Sequence, residues 1–357
     1  MRQKYILYFW ETSGDFLQSQ WDKMFALLGS DVDTIAIWGT FTYTCLLYWI
    51  VASFYTFIDV TGKPKFAVKH RIQDIPSYPV PLRAVLKLSR QVLINQILSI
   101  PFYMVGYHLM VLRGYDTKKS LPSFQRAFLE LLFCVVMEEI GFYYSHRVLH
   151  RPFFYKHIHK MHHEWKSPIA LAAAYCHPIE HYLSNLIPAY LGPFLLGSHI
   201  STCWIWYSII TFSTLINHSG FHFPFFPPPE RHDFHHLKKR LEKGLQNLRV
   251  GLWNIRPLYR NKESEMLIRQ IDNYQMNKWK VHVVRMDEDR NTKKVFDAQP
   301  FGIRRKDRFD QSFGALGFLD YLHGTDEEFK KSESYRRNCW SFSLVPVKVL
   351  YPSEPKK

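Results

Sequence analysis

The sequence predicts an all-α membrane protein, a multi-pass helical bundle that carries a cytosolic cap rich in histidine. Three observations predict it. Long uncharged stretches recur, among them the 25 residues from Thr34 to Ile58. Aromatic residues make up 17% of the chain and crowd into those stretches, as they do in interfacial belts. Ten of the 18 histidines stand in clusters of two, three, two and three between residues 146 and 236.

Residues 1–33 are polar to acidic, and the apolar run YILYFW is too short for a secretory signal. Thr34–Ile58 is long enough to cross a bilayer, which takes about 20 apolar residues. The loop behind it carries Lys63, Lys65, Lys69, Arg71, Arg83, Lys87 and Arg90 with Pro76, Pro79 and Pro81, so it reads as an irregular cytosolic connection. Gln91–Val111 is a second candidate span kinked at Pro101, and Phe124–Ser145 a third that returns the chain to the cytosol at His146. His181–Gly197 and Ile200–Asn217 read as a second hairpin, so His218 emerges on the same side. The expected divisions are residues 1–121 with the first spans, 122–238 with the histidines, 239–308 as an insertion, and 309–357 as the end of the domain and its tail.

Net charge is +15, and roughly +9 of it lies in residues 239–308. That stretch is weakly patterned and shows no nucleic-acid-binding module, so no nucleic-acid partner is expected. It reads as a disordered or partly helical insertion, or as retained non-coding sequence. The five cysteines form no C-x-x-C pair and read as reduced, mostly buried thiols.

The histidines stand as His146-x-x-x-His150, His159-x-x-His162-His163, His218-x-x-x-His222 and His232-x-x-His235-His236. Residues three and four apart share a helix face, so each cluster is expected to point its imidazoles one way. Imidazole suits borderline divalent metals, and two neighbouring sites of about five ligands each would use all ten. Glu139 lies seven residues before His146 and is expected to take the free N–H of a liganding imidazole. Asp233 and Glu230 are further candidates for that role, and His177 and His181 for ligands or substrate-side groups. No G-x-G-x-x-G, P-loop or G-x-S-x-G motif appears, so electrons for any oxygen chemistry would come from a partner.

The motifs HRVLH, HKMHHEW, HPIEH, NHSGFHFP and RHDFHH resemble those of the membrane fatty acid hydroxylase and sterol desaturase superfamily, and within it the C4-methyl sterol oxidases. FGALGFLDYLHGTD resembles that family's closing segment, and HHLK would run into FDQSFGALGFLD without a break if 239–308 were absent. The resemblance implies an endoplasmic reticulum membrane enzyme with two iron ions held by the ten histidines (zinc being able to replace iron on purification). It further implies molecular oxygen, electrons from cytochrome b5 and an NAD(P)H reductase, and a membrane lipid substrate, a sterol oxidised at a C4 methyl group. Acyl or sphingolipid hydroxylation is the alternative reaction, and a metal site kept without turnover is the alternative to an enzyme.

Overall fold

A computed structural model describes residues 2–29, 31–73, 78–113, 115, 120–165, 168–236, 318–330, 332 and 335. The expectations for 239–308, for Cys339 and for most of the closing segment and tail lie outside these residues. The chain divides into two compact units, Met1–His235 with Ser312–Lys357, and His236–Gln311; only His236 of the second is described. The described residues are helical, with one isolated β-bridge between Arg71 and Phe221 and no strand.

Helix α1 spans Arg2–Leu27, and α2 spans Thr40–Thr61 after a π-helical start at Ile35–Gly39. The second expected span, Gln91–Val111, falls within the apolar helical stretch Leu82–Leu112, which breaks at Ser99 into α3 (Leu82–Leu98) and α4 (Ile100–Leu112). Pro101 stands two residues after that break. It sits in the first turn of α4, where a missing N–H leaves no intrahelical bond unmade. Then come α5 (Phe124–Leu149), α6 (Ile187–Leu196) and α7 (Ile200–Ser219), followed by α8 (residues 230–236) and α9 (Phe318–His323).

Among the described residues two segments are long and apolar enough to cross a bilayer, Ile35–Thr61 and Leu82–Leu112. Only 22% of the most apolar window of each is buried, so most of each window lies on the outside of the bundle. Leu46, Ile50, Phe54 and Phe57 on α2 and Leu93, Ile97 and Leu109 on α3 and α4 face outward. Helix α5, expected as a third span, is not one of these two: its 26 residues include Arg126, Glu130, Glu138, Glu139 and Arg147. Helix α6 continues directly from the π-helical turn His181–Leu186, and this stretch is not one of the two either.

The core is organised around a segment that no periodicity marks. The 3-10 turn Ala170–Ala174 is buried among Ala52, Tyr55, Leu88, Val92 and Leu215 of α2, α3 and α7. Its short side chains let three helices close on the backbone, and that backbone then needs polar partners. Tyr48 Oη donates to the Leu171 carbonyl at 2.9 Å, and Asn95 Nδ2 donates to the carbonyls of Ala174 at 3.0 Å and Cys176 at 2.9 Å. Helices α5 and α6 meet through glycine. A Cβ on Gly192 would lie 2.7 Å from Cys134 Cα, and one on Gly141 would lie 3.0 Å from Pro188 Cβ.

The basic loop is partly internal. Arg71, counted above among cytosolic charges, is buried; its Nη1 meets Asp59 Oδ1 at 2.7 Å and its Nη2 donates to the Pro168 carbonyl. The backbone of this loop pairs with the chain just after α7, through Ile72 N–H to the Gly220 carbonyl and His222 N–H to the His70 carbonyl, both 2.9 Å. Gly220 ends α7 at φ 72° against Pro168, a position closed to a side chain in both conformation and space.

Candidate metal centre

Helix α5 delivers His146 and ends with His150 as its C-cap, so the first pair does share a helix face. The second cluster lies in no α-helix. His159 closes a π-helical turn, Tyr155–His159, and His162 opens a 3-10 turn, His162–Glu164. His218 sits at the end of α7, and the left-handed Gly220 turns the chain away before His222, so that pair shares no helix. His232, His235 and His236 lie on α8.

The expectation that each cluster points one way is therefore corrected. The histidines regroup across clusters, as His146, His150, His159, His163 and His235 in one group and His162, His218, His232 and His236 in another. Within each group one donor atom per residue lies within 4.8 Å of all the others. The reason is angular. Successive helical residues point about 100° apart, so adjacent His235 and His236 face different groups, while His232 and His236, one turn apart, face the same one.

The distances have a simple reading. In the first group the Nε2–Nε2 separations are 3.2 Å for His146–His150 and His146–His159, 2.9 Å for His150–His159, 3.1 Å for His150–His235 and 3.0 Å for His159–His163. Nitrogens about 2.1 Å from a shared metal ion and 90° apart are about 3.0 Å from each other. In the second group His218–His232 is 2.8 Å and His162–His218 is 3.4 Å. Hydrogen bonding cannot account for the first group: His150 Nε2 faces three other Nε2 atoms, and one proton serves one contact.

The opposite ring atoms set the tautomers. Nδ1–H of His159 donates to Glu180 Oε1 at 2.8 Å, of His162 to the Tyr175 carbonyl at 3.2 Å, and of His218 to the Thr214 carbonyl at 2.8 Å. Each leaves Nε2 as a lone pair aimed into its group. Burial lowers His162 and pushes His218 down to about 3, so both stay neutral and ready to ligate. Burial pushes the Glu180 carboxyl up to about 7; a charge there is costly unless a cation lies beyond the imidazole it faces. The donor set, its spacing and its tautomers fit a divalent metal ion in each group.

His222 is not among the four of the second group. Its Nδ1–H donates to Glu230 Oε1 at 2.7 Å, and its buried Nε2 has no partner. Glu230 thus takes the carboxylate role the sequence suggested for it. Glu139 takes another: it is buried and accepts the Leu319 backbone N–H at 3.3 Å, and the carboxylate on His159 is Glu180. Asp233 is buried and accepts from Gln73, and burial pushes its carboxyl up to about 7. Neither His177 nor His181 joins a group. His177 caps the turn Pro178–Glu180 by accepting the Ile179 N–H, and buried His181 receives Asn185 Nδ2 at 3.3 Å. Glu180 was legible in HPIEH: a carboxylate between two histidines, on a turn that Pro178 opens.

Comparisons with known proteins point to one family. The Fatty acid hydroxylase profile matches residues 131–253, a range holding all ten histidines. Fatty acid hydroxylase domain-containing protein 2 of Homo sapiens is 33% identical over 350 residues, covering 98% of this chain and 84% of that protein. Fatty acid hydroxylase ahd1 of Mycosarcoma maydis is 36% identical over 207 residues (57% of this chain, 53% of that one). Methylsterol monooxygenase 2-1 of Arabidopsis thaliana is 30% identical over 193 residues (54% and 69%). No solved structure matches the chain. On near-full-length identity together with the profile over the histidine region, the chain belongs to the fatty acid hydroxylase family.

Proposed function

We propose that this protein is a membrane lipid monooxygenase with two iron ions, acting on a sterol at a C4 methyl group. The observation that carries the reading is the convergence of five imidazole Nε2 atoms at metal-ligand spacing, beside a second group of four. His146, His150, His159, His163 and His235 would hold one ion, and His162, His218, His232 and His236 the other, with His222 completing the set of ten. Bound iron would supply activation of molecular oxygen, with electrons relayed from cytochrome b5 and a reductase.

The chain's own residues do the rest. Glu180 and Glu230 hold their imidazoles in the ligating tautomer. His146, His159 and His235 are 3%, 1% and 1% exposed, so these three ligands are shielded from bulk water, while His150 and His163 are partly buried. Largely neutral donors surround both positions, which leaves the positive charge of the ions uncompensated at the site. The apolar outer faces of α2, α3 and α4 would place the protein in a membrane, and the family resemblance implies that of the endoplasmic reticulum with the metal groups at the cytosolic side. The sterol assignment draws on the methylsterol monooxygenase among the relatives.

Two measurements test the two halves. Gently purified protein should contain two metal ions per chain, one for each histidine group. Cells lacking the protein should accumulate 4-methyl sterols. Metal content near zero overturns the site. Altered hydroxylated acyl chains with unchanged sterols overturn the substrate in favour of an acyl hydroxylase.

A further inference from the structure

A second chemistry-bearing feature lies away from the histidines. Helices α2, α4, α6 and α7 enclose a cavity of about 160 Å³, open on one side. It touches Thr40 at the start of α2, Met110 near the end of α4 and Ile200 at the start of α7. His218 sits at the other end of α7. Tyr207, in the cavity wall, precedes His218 by eleven residues, about 16 Å of helix.

The lining is apolar with neutral hydroxyls and the Asn185 amide, and no charged side chain of the described residues belongs to it. Most of its polar atoms are already satisfied. Tyr103 Oη and Thr44 Oγ1 bond each other at 2.9 Å, and Tyr190 Oη donates to the Gly106 carbonyl at 2.6 Å. Tyr207 is different: its hydroxyl makes no hydrogen bond among the described residues. Its oxygen is not one of the buried atoms left without a partner, so it stays accessible from the cavity and is placed to bond a polar atom of an occupant. Among the described residues no cation stands in the lining to pair with a carboxylate or phosphate, so an uncharged polar atom suits it. An apolar cavity of about 150 Å³ accepts a benzene ring, so this one has room for a single six-membered ring.

We propose that this cavity binds the hydroxylated ring of an uncharged membrane lipid, the chemistry of a sterol, at a site separate from the metal groups. The ring fills the space between α4 and α7, its hydroxyl bonds Tyr207 Oη, and the rest of the molecule leaves through the open side. Carbons beside that hydroxyl are far from His218, so this lipid is not being oxidised there. The proposal is independent of which lipid the metal groups act on.

The test uses full-length protein in nanodiscs and dehydroergosterol, a sterol whose fluorescence is excited by energy transfer from protein aromatics. Wild-type protein should show saturable binding, unchanged after chelator removes metal. Tyr207→Phe, which conserves volume, should weaken binding about five- to tenfold, the worth of one hydrogen bond. Ala189→Phe, which fills the cavity, should abolish it. A hydroxyl-free sterane should compete poorly. Absence of saturable binding overturns the proposal, as does equal affinity in wild type and a Tyr207→Phe protein of unchanged helicity and metal content. Binding that disappears on chelation places the sterol at the metals and overturns it too.

Discussion

Replacing Glu180 by Gln separates the role of a buried carboxylate from that of its neighbour Glu139. Glu180 is 4% exposed and accepts the Nδ1–H of His159 at 2.8 Å; His159 lies 2.9–3.2 Å from His146, His150 and His163. The amide oxygen of Gln can still accept that proton but carries no charge. A charge-assisted bond is worth about 1.5–3 kcal/mol and a neutral one about 0.5–1.5 kcal/mol. The difference of about 1.4 kcal/mol predicts about a tenfold loss of metal affinity, at the lower end of the 10–100-fold seen for such outer partners. Glu139→Gln keeps an oxygen for the Leu319 N–H and touches the metals less directly, so its loss should stay within about threefold. The assay is metal retained against a graded series of chelator concentrations, with thermal unfolding of the metal-free proteins to show that both fold. Metal affinity in Glu180→Gln within twofold of wild type, or a larger loss in Glu139→Gln, would refute the assignment of Glu180.

His162→Ala should abolish turnover and lower the metal content while leaving membrane insertion intact, because insertion rests on Ile35–Thr61 and Leu82–Leu112; wild-type turnover would show that His162 is no ligand. Gly192→Ala should destabilise the fold by about 1–3 kcal/mol, since the new methyl would lie 2.7 Å from Cys134 Cα and force α5 from α6; an unchanged unfolding midpoint would contradict that packing. Deleting residues 239–308 to join Lys238 to Phe309 should preserve or improve folding and activity, measured by metal content and protease resistance. Loss of both metal and expression would make the insertion part of the fold.

The sequence by itself determined the ingredients of the site. Ten histidines of one chemical type stand in clumps, which random scatter does not produce, and the family motifs coincide with those clumps. It also determined the helical class and the two long apolar segments, because hydropathy and length are local properties. Tertiary structure decided how the ligands are shared. HKMHH reads as one cluster, yet His159 and His163 join one group and His162 the other. Adjacent side chains diverge by about 100° in a helical turn, and the π and 3-10 turns of Tyr155–Glu164 follow the backbone's hydrogen bonds rather than any apolar period. The partner carboxylate was likewise decided in space, since Glu139 shares a helix with His146 but Glu180 meets His159 from a separate turn. The buried segment Ala170–Ala174 and the end of α7 at Gly220 depend on contacts made by residues about 50 to 120 positions away, with Pro168 and Tyr48 among them. A linear reading sees composition and period; which imidazole faces which depends on turns and crossings that only the closed packing selects.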